Sequence, residues 1–333
     1  MQRPKNVAAA ILVLIVLQMA FLDYWGYSHA YHSNPDTFMD VVTGTGSAPS
    51  QYRIGVLWPA SFIMHHSPLG LRHILTAIDL IAGLIAVFVL FSLLERFKIY
   101  RDGSIGMQWF GAATFALLVQ FYLPWVTWYQ RPETMTTTAL VALMLLTLTV
   151  RVPIAGWAGI LATAAVQLLL AAAQSFVRTD VTVAFYAGVL LACMVRGRDD
   201  MSLPRYLEMA VSGLAILMAG GIQYYMSHIV FPQATYGDTP IFQLVLQFKE
   251  PARLIAFALF IPPYVWLIRT LIRRRIELNG ASTAIVLGSA IFMGMWWLVG
   301  RVEEVRIFLP FAMAVAPLTA ATGIKVWLSE QAA

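Results

Sequence analysis

The chain has 333 residues, of which 59% are hydrophobic, 13% aromatic and only 12% charged, with a formal net charge of +5. That balance excludes an ordinary soluble domain and a disordered chain, and the single cysteine, Cys193, excludes a disulfide scaffold. A charged side chain in hydrocarbon costs about 3 kcal/mol or more, so the few charges mark interfaces or buried polar sites.

Crossing about 30 Å of hydrocarbon takes about 20 apolar residues. Such runs lie at 7–27, 74–95, 106–127, 134–150, 153–174, 180–195, 206–230, 253–272, 281–299 and 307–328. The predicted fold class is therefore all-α: a polytopic bundle of about ten transmembrane helices, forming a single integral membrane domain over 1–333. The first run follows Arg3 and Lys5, lacks a small-residue cleavage site and ends in FLDYWGY, so it reads as a retained helix. The pairs 106–127/134–150 and 153–174/180–195 have links so short that each predicts a hairpin. Two connections are long, 28–73 and 231–252. In the first, PDTFMDVV spaces Asp36 and Asp40 at i and i+4, placing both carboxylates on one face of a short helix. GTGSAPS then reads as a turn region. QYRIGVLWPASFI, apolar apart from Gln51 and Arg53, suits a helix lying in the interface. Asp79, about one turn into the second run, is expected to bond a polar partner inside the bundle or to line its interior.

Lys and Arg orient the runs. With the N-terminus in the cytoplasm, that side receives Arg3, Lys5, Arg96, Lys98, Arg101, Arg151, Arg196, Arg198, Arg205, Arg269, Arg273, Arg274, Arg275 and Lys325, fourteen of the 22 basic residues. Both termini are then cytoplasmic. The outer side keeps Arg53, Arg72, Arg131, Arg178, Lys249, Arg253, Arg301 and Arg306, most of them beside an acid. A basic anchor against anionic lipid headgroups thus accounts for the net charge, and no nucleic-acid partner is implied. All six histidines, His29, His32, His65, His66, His73 and His228, fall on the outer side without metal-ligand spacing. No metal or other cofactor is read from the sequence, which leaves a divalent cation open.

A first helix running outward, followed by a long outer loop with an early aspartate near an aromatic residue (Asp36, Phe38, Met39), resembles the membrane glycosyltransferases of the GT-C superfamily. The segment APSQYRIGVLWP and the charged tips YQRPE, FVRTD and GRVEEVRIFLP also resemble a group of bacterial polytopic proteins associated with that fold. The resemblance implies a multi-pass enzyme of the bacterial inner (cytoplasmic) membrane. Its partners would be membrane lipids and a lipid-linked sugar donor, a polyprenyl phosphate, with an envelope glycan, lipid or protein as acceptor. The chain departs from the better known members, many of which carry paired acids just after helix one. Here Asp23 stands with Tyr24, and Asp36 and Asp40 are four apart. No C-terminal soluble domain is read, so acceptor recognition is expected from the membrane portion or from a protein partner of unknown identity.

Glycosyl transfer from a lipid phosphate needs a carboxylate to take the acceptor hydroxyl's proton, and cationic donors to hold the phosphate as charge develops on it. Arg suits the second task because its planar fork matches phosphate oxygens. On that reading Asp36 is the base and Asp40 the next candidate. Gln51, Arg53, Arg131, Arg178 and Arg306 contact phosphate or sugar, and Glu133, Asp180, Glu303 and Glu304 orient them. In GRVEEVRIFLPF, Glu303 and Arg306 pair at i and i+3, which leaves Arg301 and Glu304 to find partners elsewhere: the charges face either an outer cavity shared with the tips at 130–133 and 178–180 or a solvated interface.

Plainer readings stand beside these: Asp36 and Asp40 as helix-start and solvated acids, Arg178 and Asp180 as a helix cap, Arg53 as a residue snorkelling to headgroups. Other function classes also stand: a transporter or flippase, a non-enzymatic subunit of an envelope complex, and an outer-face acyltransferase using His65 or His66 as base. Against transport, the sequence shows no internal repeat and no Gly/Pro-broken helix pair.

Overall fold

In the computed structural model, which describes residues 2–33, 36–94, 96–97, 108, 111, 113–114, 131–196, 201–236, 242–274, 278–300 and 305–331, helix α1 (Gln2–Ser33) reveals the solvent of the fold. One stripe of α1 is buried (Leu12, Val16, Met19, Asp23, Tyr27), while another, equally apolar, is exposed (Val7, Ile11, Leu14, Phe21, Trp25). A helix that is apolar all round suits an outer face against lipid.

The other described elements are α2 (Asp36–Thr43), a 3-10 turn at Ser50–Tyr52, α3 (Ile54–His65), α4 (Leu71–Leu94), α5 (Glu133–Thr149) and α6 (Gly156–Arg196). Then come α7 (Arg205–Tyr225), a π-helical turn at Met226–Val230, α8 (Leu244–Lys249), α9 (Pro251–Arg274), α10 (Gly280–Val299), a 3-10 turn at Val305–Phe308 and α11 (Leu309–Gln331). Among the described residues six stretches are long and apolar enough to cross a membrane: Ala9–Ser28, Leu71–Leu93, Gly156–Val195, Arg205–Val230, Gly280–Val299 and Leu309–Gln331. Most of the apolar run at 106–127 lies outside the described residues; seven of the other runs fall on these six stretches, 153–174 and 180–195 sharing α6, while 134–150 and 253–272 fall on α5 and α9, which are not among the six. The expected short helices in the first long loop are α2 and α3.

With 41 residues, α6 would be about 60 Å long if straight, twice the hydrocarbon thickness. It folds back instead. Arg178 has extended dihedrals (φ −156°, ψ 97°), and Tyr186 Oη donates to the Gln167 carbonyl oxygen at 2.9 Å. A straight helix would hold those two residues about 28 Å apart. The element is a helical hairpin with Arg178 at its tip, as the short link between 153–174 and 180–195 predicted.

Small residues let α10 close on the hairpin's second arm. Ala184 and Gly188 face Ala284 and Gly288, a small-x3-small spacing on each helix. A Cβ on Gly188 would lie 2.4 Å from both the Ala284 carbonyl oxygen and the Gly288 nitrogen, so only glycine permits this approach. Phe185, Phe292 and Phe311, all fully buried, fill the space around the contact. Helix α5 lies between α4, α6 and α11 and buries Met135, Ala139, Ala142 and Leu145.

The chain direction sorts the connections into two ends. One gathers α2, α3, the hairpin tip, the loop after the π-helical turn, α8 and the Val305–Phe308 turn. Its loops are clipped together by Tyr52 Oη to Ala234 O (2.7 Å), Ala48 N to Thr235 O (3.1 Å) and Gln247 Nε2 to Gly300 O (2.5 Å). The opposite end holds Arg96, Arg151 and Arg205. There Ser202 N donates to Leu148 O (2.8 Å) and Asn279 Nδ2 to Arg96 O (3.2 Å). Asn279 Oδ1 also caps α10 by accepting from Ser282 N at 2.8 Å.

Candidate functional site

The sequence FVRTD puts an arginine where the helix must reverse and an acid in the first turn of the next arm, where the backbone dipoles favour it. Arg178 grips Asp180 with two donors, Nη2 to Oδ2 at 2.5 Å and Nε to Oδ1 at 3.2 Å. Its Nη1 reaches the Ile307 carbonyl oxygen at 3.5 Å. The guanidinium lies 5.4 Å from the ring centroid of Phe292 and 5.5 Å from that of Trp296, whose Nε1 donates to Asp180 Oδ2 at 3.1 Å. Only 3% of Arg178 is exposed. A buried ion pair is tolerated when its donors and acceptors are used this fully.

Arg53 arrives from the first long loop, between the Ser50–Tyr52 turn and α3. Its Nη1 meets Glu133 Oε1, in the first turn of α5, at 3.2 Å. Gly55 allows that approach. A Cβ there would lie 2.8 Å from Val177 Cγ2 and 2.9 Å from the Phe176 carbonyl carbon, so α3 rests directly on the hairpin tip. Arg53 is near enough to Asp180 and to Tyr236 to act on both electrostatically. Loss of surrounding water holds the Tyr236 hydroxyl above its ordinary range; Arg53 opposes that rise and Asp180 adds to it. Burial, helped by Tyr236, likewise raises the Tyr52 hydroxyl, which keeps its proton and donates to Ala234 O.

Glu133 links this pair to a second group. Tyr27 Oη donates to Asp79 Oδ2 at 2.6 Å, Asp79 Oδ1 has no hydrogen-bond partner among the described residues, and Asp23 and Glu133 both bear on the pair electrostatically. All four side chains are buried. Asp79 thus does what its depth in the apolar run suggested, bonding a polar residue inside the bundle.

Of the residues singled out in the sequence, Arg53, Glu133, Arg178 and Asp180 come together. Gln51 is fully buried and already engaged as a loop staple: Oε1 accepts from Gly46 N at 2.7 Å and Nε2 donates to Val41 O at 2.9 Å. Asp40 is half-buried near the end of α2, where its carbonyl oxygen accepts from Thr45 N and Gly46 N. Arg131 is half-buried just before α5. Asp36 opens α2 and Arg306 lies in the Val305–Phe308 turn, but their side chains, and all of Glu303 and Glu304, lie outside the described residues. His65 and His66 place Nδ1 at 2.7 Å and 2.8 Å from the carbonyl oxygens of Ser61 and Phe62, finishing α3 as C-terminal histidines do. Among the described residues no three His, Cys, Asp or Glu side chains are grouped to hold a metal ion.

Asp23, Tyr27 and Trp296 were not singled out as site residues. For the first two a signal existed, an acid and a phenol at i and i+4 inside the apolar FLDYWGY run. For Trp296 there was none, because the tryptophan pair of IFMGMWWLVG reads as interfacial packing.

Fold and site define a class: an all-helical membrane protein that gathers arginine–carboxylate pairs at one end of its bundle. No protein-family model, no curated protein and no solved structure matches the chain.

Proposed function

We propose that the chain crosses the bacterial inner membrane about ten times with both termini cytoplasmic. Its outer end, on this reading, transfers a glycosyl group from a polyprenyl-phosphate carrier to an envelope acceptor. The observation that carries the reading is the convergence of Arg53, Glu133, Arg178 and Asp180 from segments far apart in sequence. Guanidinium groups held by carboxylates at a membrane surface suit a phosphate leaving group. Asp36, or Asp40 one turn further on, takes the proton of the acceptor hydroxyl, and the freed oxygen attacks the anomeric carbon. The bond from that carbon to the phosphate oxygen breaks, and its electron pair leaves with the lipid phosphate, which Arg53 and Arg131 hold. Glu133 orients Arg53. Arg178, already bound by Asp180, positions the tip, while Arg306, Glu303 and Glu304 supply further charge at the same end.

Replacing Asp36 by asparagine keeps size and hydrogen bonding but removes the basic oxygen. Product formation in nanodiscs supplied with a polyprenyl-phosphate sugar is expected to fall roughly a hundredfold, while the lipid donor still binds. Undiminished turnover in Asp36→Asn, Asp40→Asn and Glu304→Gln alike would remove the transferase reading.

Orientation has its own check. In a Cys193→Ser background, Thr45→Cys and Thr235→Cys, both at exposed positions, are expected to react with a membrane-impermeant maleimide applied from outside. Protection of both would invert the topology.

A specific observation favours a second reading, a carrier or flippase. Asp23, Tyr27 and Asp79 form a buried acid and hydroxyl group within the helices, where ionisable residues commonly serve proton or substrate pathways. Gradient-driven lipid translocation by a wild-type protein that makes no transfer product would select it.

A further inference from the structure

At the basic end of the bundle, opposite the arginine site, lies an acid that the outer-face chemistry does not use. Glu208, in the first turn of α7, is 0% exposed and faces Gln167 on the first arm of α6, also 0% exposed. Gln167 Nε2 points at three oxygens, each 3.4 Å away: the Thr147 carbonyl, Ser202 Oγ and Glu208 Oε2. That orients the amide, because the opposite flip would turn its oxygen toward three acceptors. Ser202 Oγ spends its proton on the Thr147 carbonyl at 2.5 Å, and Tyr186 Oη spends its own on the Gln167 carbonyl at 2.9 Å. Among the described residues three buried oxygens then have no partner: Gln167 Oε1, Glu208 Oε1 and, one turn along the same face of α7, Ser212 Oγ.

The backbone N–H of Leu203 also serves the Glu208 carboxylate, but no positive charge balances it among the described residues. Among the described residues two guanidinium groups are near, and neither pairs with Glu208. Arg151 Nε is committed to the Ser202 carbonyl oxygen at 2.9 Å, and Arg205 Nε is buried without a partner. On the facing elements Glu133, Arg178 and Asp180 lie at the opposite end, and the titratable groups beside the contact are Tyr186, bonded to the Gln167 carbonyl, and Cys193, against Met201 Sδ at 3.9 Å. A water molecule would supply donors to the three oxygens yet leave the carboxylate charge unbalanced in a dry contact, where an unpaired charge is far costlier than an unpaired dipole.

We propose that the buried α6–α7 contact at the basic end binds one positive charge, a proton or a sodium ion, on Glu208 with Gln167 as its second oxygen ligand. A proton on Glu208 supplies the missing O–H donor toward an amide oxygen. A sodium ion takes the same oxygens as a carboxylate, an amide and a hydroxyl. Both neutralise Glu208, and neither depends on the reading of the outer end.

The test uses the full chain in nanodiscs. If the ligand is a proton, infrared titration shows a protonated-carboxyl stretching band that Glu208→Gln removes and that Asp79→Asn, at the opposite end, leaves in place. If it is sodium, the Tm rises in sodium chloride relative to choline chloride at equal ionic strength, and Glu208→Gln abolishes the difference. Should Glu208→Gln not accumulate, Gln167→Leu replaces it, and must shift the carboxyl band or weaken the sodium effect. A wild-type protein with neither a band that survives Asp79→Asn nor a sodium-specific Tm shift would overturn the proposal.

Discussion

Arg178→Ala is expected to destabilise the folded protein by about 3–5 kcal/mol, the loss that follows when one member of a buried ion pair is removed. The substitution strands Asp180 beside Trp296 without its two-pronged partner, unties the tip from the Ile307 carbonyl and empties the space over Phe292. Most of that loss is the desolvated carboxylate left behind, so the double variant Arg178→Ala/Asp180→Ala is expected to recover part of it. Denaturant unfolding in detergent reads both. An Arg178→Ala protein with the wild-type midpoint would mean that the tip is solvated and the pair a surface one. Arg53, with its side chain 22% exposed against 4% for Arg178, is the better probe of ligand binding, because it is the guanidinium a ligand can reach.

Gly188→Ala has the second largest expected effect, a destabilisation of about 1–3 kcal/mol from one added methyl group. At 2.4 Å from the Ala284 carbonyl oxygen and the Gly288 nitrogen, the new Cβ meets backbone that cannot rotate away, so the hairpin and α10 must separate. That movement carries Trp296 away from Asp180, and the site loosens along with the core. Gly213→Ala is the control, because a Cβ there meets nothing within 4 Å and alanine is the better helix former. Thermal unfolding of the pair should place Gly188→Ala well below wild type and Gly213→Ala at or above it. Equal midpoints would show that the small-residue contact is looser than described.

The helices were legible because a membrane span needs a long apolar run, and length alone separates it from a loop. The reversal at Arg178 was legible for the same reason: two runs with almost no chain between them leave only a hairpin. Within the first long loop, Asp36 and Asp40 at helical spacing gave α2, and the apolar stretch after Arg53 gave α3. What periodicity cannot supply is the register in which two helices meet. Nothing local announces that Arg53 reaches Glu133, that Tyr27 bonds Asp79, or that the indole of Trp296 donates to Asp180, since each depends on how two elements meet, at contacts where Gly55, Gly83, Gly188 and Gly288 let neighbours approach closely. Glu208 escaped notice for a different reason. An acid in the first turn of a helix is commonplace, and only packing against Gln167 makes this one a buried charge.

The central claim, that the arginine-bearing end receives a lipid phosphate, is tested most directly by a cryo-EM map of the protein in nanodiscs with polyprenyl phosphate added. The account predicts phosphate density within hydrogen-bond distance of Arg53 or Arg131, at the end where Glu133, Arg178 and Asp180 meet, and its disappearance in Arg53→Ala. Carrier density bound only at the end bearing Arg96, Arg151 and Arg205, with the Arg53 end unchanged, would contradict it.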